Sequence, residues 1–151
     1  MEKYHIEVML QEETVNRRIR ELGEEISRDY EGKTVHLICI LKGSVYFTCE
    51  LAKRITVPVT MDFMQCSSYG AATKSSGVVR IVKDLDEPIT GRDVIIVEDI
   101  IDSGRTLSHL KDLLGQRQPA SLKICTLLDK PERRVTDVDV EYVGFQIEDK
   151  F

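Results

Sequence analysis

Apolar residues recur along this chain with two different periods. Val15, Ile19, Leu22 and Ile26 return at three- or four-residue intervals with charges between them, as one buried face of a helix requires. Residues 12–30 are therefore predicted helical, ended by Glu31-Gly32-Lys33. Residues 35–41 are almost wholly apolar, which suits a strand covered on both faces. A helix is expected over 45–55 and a strand, β-branched at its start, over 57–66. Residues 67–77 (Ser-Ser-Tyr-Gly-Ala-Ala-Thr-Lys-Ser-Ser-Gly) present no apolar face. Strand character resumes at 78–82, and Pro88 and Gly91 punctuate the next loop. A short aliphatic strand at 94–97, a helix at 106–114 and strands at 121–128 and 138–145 complete the pattern. Such alternation predicts a single α/β domain over residues 1–151, built on a mostly parallel sheet flanked by helices.

Composition narrows the function classes. Hydrophobic residues make up 42% and charged residues 31%, the balance of a globular chain with a substantial core. With 21 basic against 26 acidic residues the net charge is −5, and the two signs are interspersed. Binding to nucleic acid through phosphates calls for a basic excess or stripe, so no nucleic-acid partner is expected. Cys39, Cys49, Cys66 and Cys125 lack zinc-type spacing, and three of them sit in apolar runs. They are read as reduced core thiols. His5, His36 and His109 are assigned no chemistry. The start of the chain does not resemble a secretion signal, and no apolar run is long enough to cross a bilayer. A cytoplasmic protein without membrane contact is expected.

The chemistry concentrates in residues 94–107, Val-Ile-Ile-Val-Glu-Asp-Ile-Ile-Asp-Ser-Gly-Arg-Thr-Leu. Ligands of open parallel sheets bind beyond the carboxyl ends of the strands. Glu98 and Asp99 are expected there, directly after the strand, able to hold sugar hydroxyls or a hard cation such as Mg²⁺. Asp102-Ser103-Gly104-Arg105-Thr106 then leads into a helix. Small residues let amides converge, and a helix N-terminus adds positive potential, so the loop suits a phosphate. The plainer alternative is that Asp102, Ser103 and Thr106 only cap the helix.

This segment resembles the phosphoribosyl-diphosphate motif of type I phosphoribosyltransferases: aliphatics, two acids, two aliphatics, then Asp-Ser/Thr-Gly-x-Thr. Leu41-Lys42-Gly43-Ser44, Ser67-Ser68-Tyr69-Gly70, Lys83-Asp84-Leu85-Asp86, Leu127-Leu128-Asp129-Lys130-Pro131, Val143-Gly144-Phe145 and Asp149-Lys150-Phe151 extend it. Over nearly the whole chain it is similar to bacterial hypoxanthine and hypoxanthine-guanine phosphoribosyltransferases. The resemblance implies that family's fold, including a small hood formed by the terminal segments.

It also implies a set of roles. Glu98 and Asp99 would engage the ribose hydroxyls, directly or through Mg²⁺. Asp102 would be the general base, and Asp102, Ser103, Gly104, Arg105 and Thr106 would wrap the 5′-phosphate. Lys42 and Gly43 match the pyrophosphate loop, which in the family often carries a non-proline cis peptide. Lys130 would contact the purine 6-oxo group and Phe151 would stack on the base. Residues 67–77, with Ser68 and Tyr69, would form a closing lid. The substrates implied are phosphoribosyl diphosphate and a 6-oxopurine, in a homodimer or homotetramer. Family members continue past the position of Phe151 with a further acidic metal ligand, an arginine near the pyrophosphate and contacts to the purine 2-position, and the chain is read as cut short there. The competing expectations are an RNA-binding regulator on the same fold, a non-catalytic ligand-binding module, and an enzyme preferring xanthine.

Overall fold

The computed structural model describes residues 10–68 and 79–149. Among these residues the elements run α1 (Glu12–Asp29), β1 (Val35–Leu41), α2 (Val45–Ala52), β2 (Val59–Ser68), β3 (Val79–Lys83), β4 (Asp93–Ile101), α3 (Arg105–Gly115), β5 (Ser121–Asp129) and β6 (Tyr142–Gln146), with a 3₁₀ turn at Pro131–Arg133. Six strands form one sheet in the order β3-β2-β1-β4-β5-β6. All neighbours are parallel except β3, which pairs antiparallel with β2 at the edge. The predicted α/β architecture is therefore observed. Of the terminal hood, residues 1–9 and 150–151 lie outside the described residues.

Period-two alternation divides the central strands between two apolar layers. Val35 and Leu37 of β1 and Ile95 and Val97 of β4 meet Leu22 and Ile26 of α1 and Phe47 and Leu51 of α2. Ile38 and Ile40, with Val94 and Ile96, meet Leu107, Leu110 and Leu114 of α3. Helices on both faces explain why β1 reads as an unbroken apolar run. The close fit of α1 depends on Gly23, where an added Cβ would lie 2.5 Å from Cβ of Arg54.

Three sequence expectations need correction. The second helix ends at Ala52 rather than residue 55. The last strand begins at Tyr142; Val138 and Val140, which read as its start, pack instead against the layer around α3. Most consequential, β4 does not stop at Val97 but runs to Ile101, so Glu98 and Asp99 belong to the strand. Pairing with β5 sustains it, from Glu98↔Thr126 to Ile101↔Asp129.

Candidate functional site

Beyond Val97 the sheet opens. The β1–β4 ladder ends at Cys39↔Val97, while β1 continues along β2 to Leu41↔Gln65 and β4 continues along β5. The first strand thus has its chain successor on one side and β4 on the other, the switch point at which open α/β sheets bind ligands. A cleft of about 390 Å³ occupies it, lined by Ile40, Leu41, Gly43 and Cys66 on one side and by Glu98–Ser103, Gly104, Thr106 and Leu107 on the other.

Each wall has a local cause. After β1 the chain turns through a cis peptide between Leu41 and Lys42. Gly43 brings that turn against Asp99: an added Cβ would lie 3.0 Å from Asp99 Oδ2. Lys42 itself is exposed. On the opposite wall Gly104, the N-cap of α3, has φ 82°, a left-handed conformation that glycine adopts without steric cost. A side chain there would also meet the Thr136 carbonyl oxygen at 2.7 Å. The N-cap residue gives α3 no side-chain cap, and Ser103 Oγ accepts the Arg105 N–H at 3.3 Å. The simple capping reading therefore does not account for Asp102, whose side chain is half exposed. Arg105 opens the helix, and Ser103, Gly104 and Thr106 face the cleft with Asp102.

Electrostatics separate the two strand carboxylates. Burial, followed by the neighbouring Asp99, pushes the Glu98 carboxyl up to about 8, and its Oε1 accepts the Asp99 N–H at 3.1 Å. A cation placed beside Glu98 would favour the charged form and bring that value down. Two carboxyls opening on a cleft suit Mg²⁺, which is often held by one or two carboxylates together with substrate oxygens and water. Among the described residues no cluster of three or more metal-ligating side chains occurs.

Lys130 is buried, and its Nζ lies 4.0 Å from Asp102 Oδ1, so two predicted site residues from different strand ends meet. Ser68 ends β2. Ser67, where the expected lid starts, also belongs to β2, and residues 69–77 of that lid, with Phe151, lie outside the described residues. Sequence reasoning missed Arg134, which forms an ion pair with buried Asp129 and donates from Nε to the Asp102 carbonyl at 3.2 Å. The available signal was Asp129 itself, an acid closing an apolar strand and so in need of a cation. The cysteine reading also needs amendment. All four thiols are free, and Cys39 and Cys125 are buried, but Cys49 is exposed and Cys66 lines the cleft. Burial, then Asp84 and Glu98, raise the Cys66 thiol, which keeps it protonated. No helix among the described residues is long and apolar enough to cross a membrane.

Comparison with known proteins agrees with this geometry. A family profile described as phosphoribosyl transferase domain matches residues 6–151. A hypoxanthine phosphoribosyltransferase from Salmonella typhimurium is 51% identical over 99% of this chain and 85% of its own length. A hypoxanthine-guanine phosphoribosyltransferase from Streptococcus thermophilus is 47% identical over 100% of this chain and 84% of its own. The crystal structure of a hypoxanthine-guanine phosphoribosyltransferase from Bacillus anthracis superposes with a TM-score of 0.93 at 49% identity, covering 97% of this chain and 86% of that one.

Proposed function

This chain belongs to the phosphoribosyltransferase family, and from that premise we propose that it is a purine-salvage enzyme transferring the 5-phosphoribosyl group from phosphoribosyl diphosphate to hypoxanthine, with guanine as a further acceptor. The observation that carries the site assignment is the convergence, where β1 and β4 part, of the Glu98-Asp99 carboxyls, the left-handed Gly104 loop and the Lys130–Asp102 pair.

The residue roles are those the family resemblance implies, and that arrangement supports them. Loop 102–106 holds the 5′-phosphate at the N-terminus of α3. Glu98 and Asp99 hold the ribose hydroxyls below it, and the Lys42–Gly43 turn faces the diphosphate. A purine nitrogen attacks C1′ of the ribose as the bond from C1′ to the diphosphate oxygen breaks. Asp102 takes the proton from the base, whose nitrogen becomes more acidic as it attacks, so a weak base suffices. Lys130 donates to the 6-oxo group, which favours a 6-oxopurine over adenine. Mg²⁺, held by Glu98 and Asp99 together with substrate oxygens, would supply positive charge for the departing diphosphate. Phe151 stacking on the base and closure of residues 67–77 belong to the same proposal, as do a cytoplasmic setting and a homodimer or homotetramer.

The test is a coupled assay with phosphoribosyl diphosphate and Mg²⁺, offering hypoxanthine, guanine, xanthine and adenine in parallel. Turnover of hypoxanthine with none of adenine is expected. Donor binding without turnover of any base would leave a non-catalytic module, and a preference for xanthine would revise the acceptor.

A further inference from the structure

The carbonyl side of the phosphate loop is tied to one short segment, residues 130–136. The Lys130 N–H donates to the Ile101 carbonyl at 2.9 Å, and those of Val135 and Thr136 both donate to the Ser103 carbonyl, at 2.9 and 3.2 Å. Between them the Asp102 carbonyl accepts from a side chain, Arg134 Nε, at 3.2 Å. Three consecutive carbonyls are thus engaged by the same segment. In a trans peptide the C=O and N–H point in opposite directions. Holding these carbonyls on the segment therefore turns the amides of Asp102, Ser103 and Gly104 away from it, and these residues line the cleft.

Arg134 is itself held in place. Its Nη2 pairs with the carboxylate of Asp129, the buried last residue of β5, and its Cδ lies 2.8 Å from where a Cβ on Gly104 would stand. A guanidinium is a planar fork with donors in fixed directions, so one side chain can serve a carboxylate and a carbonyl together, which an ammonium does less well. The Ile101 and Ser103 carbonyls would keep their backbone donors without Arg134. The Asp102 carbonyl would lose its donor, and it belongs to the residue assigned as base.

We propose that Arg134, oriented by Asp129, is a positioning residue for the transfer reaction: it fixes the peptide between Asp102 and Ser103, and through it the aim of the Asp102 carboxylate and of the amides that receive the 5′-phosphate. The inference rests on the activity proposed above, and it predicts an uneven kinetic effect. Phosphate-bearing ligands and the chemical step depend on this peptide, whereas the free purine depends on it far less.

The experiment compares the 151-residue chain with Arg134→Lys, Arg134→Ala and Asp129→Asn. Steady-state kinetics, affinity for ribose 5-phosphate by calorimetry, and thermal midpoint are measured for each. Arg134→Lys retains a cation for Asp129 and so guards against a variant that does not fold. It is expected to lower kcat and weaken ribose 5-phosphate binding about tenfold or more, as small misplacements of catalytic groups do, with the hypoxanthine KM within about threefold. Asp129→Asn added to Arg134→Ala should cost little beyond either alone, because each acts through the other. Unchanged kcat and ribose 5-phosphate affinity in Arg134→Lys would overturn the proposal. So would losses in Arg134→Lys and Arg134→Ala that merely track the unfolded fraction. A wild-type chain that turns over no purine would defeat the activity reading instead. Ribose 5-phosphate affinity still decides the positioning role in that case, tenfold weaker in Arg134→Lys supporting it and unchanged overturning it.

Discussion

Asp102 and His36 illustrate how differently two polar residues can be used at opposite ends of the same sheet. Asp102 follows the carboxyl end of β4, half exposed, with Lys130 nearby and its backbone carbonyl held by Arg134. The residue lines the cleft, while its backbone carbonyl is hydrogen-bonded. On the base role proposed for Asp102, Asp102→Asn should keep the shape of the loop and lower kcat roughly 100-fold or more, the range set by general-base catalysis. Affinity for phosphoribosyl diphosphate should survive, and steady-state kinetics alongside donor calorimetry check both. His36, near the amino end of β1, is buried with Nδ1 2.7 Å from Thr60 Oγ1 and with Nε2 unpartnered. Burial and then the charge of Arg92 lower its pKa below the ordinary 6.5. Unfolding therefore takes up a proton once the pH falls below that ordinary value. The stability associated with neutral His36 is present above pH 6.5 and is lost as the pH falls through the lower folded-state value. Thermal midpoints between pH 7.5 and 5 should drop less steeply in His36→Gln than in the parent chain.

At the scale of elements, α1 and β4 carry separate tasks. The first helix seals one face of the sheet. Leu22 and Ile26 are fully buried, and Arg18 reaches the far edge, donating to the carbonyls of Val143 and Gly144 at 2.7 and 2.9 Å. None of these groups lines the cleft. Leu22→Ala is expected to cost about 2–5 kcal/mol, the range for emptying a buried leucine site. Donor affinity of the folded fraction should stay unchanged, and denaturant titration with calorimetry below the transition separates the two effects. The strand β4 has the opposite character. Its first half is sandwiched between β1 and β5, and its second half keeps only β5. Where β1 has left, Glu98 and Asp99 line the cleft, while pairing with β5 continues to Ile101.

Across the whole molecule, the cleft joins two halves of the sheet that β1 and β4 otherwise hold together only as far as Val97. A ligand that bridges the Gly43 turn and the α3 loop binds only the folded arrangement, so it should stabilise the entire domain. Phosphoribosyl diphosphate with Mg²⁺ at about 100 times its Kd should add roughly 2.7 kcal/mol by mass action, read as a rise in thermal midpoint. Hypoxanthine alone at the same concentration is expected to bind the free chain more weakly and so to shift the midpoint much less. An equal shift from the base alone would mean that the free chain binds the base as tightly as the donor.

The periods of the apolar residues determined most elements, because burial on one face or two leaves its mark within a few neighbouring positions. The run from Val94 to Thr106 likewise placed two adjacent carboxyls ahead of a small-residue loop that opens a helix, since small residues and a helix start are local properties. Long-range pairing decided the rest. Whether β4 stops at Val97 or continues to Ile101 depends on β5 remaining alongside, and the place of the cleft depends on β1 leaving. Val138 and Val140 alternate like strand residues, yet they pack on the α3 layer, and pairing with β5 begins only at Tyr142. The raised Glu98 carboxyl and the Asp129–Arg134–Asp102 link have the same origin. Desolvation and side-chain reach are set by segments distant in sequence, which only the folded chain brings together.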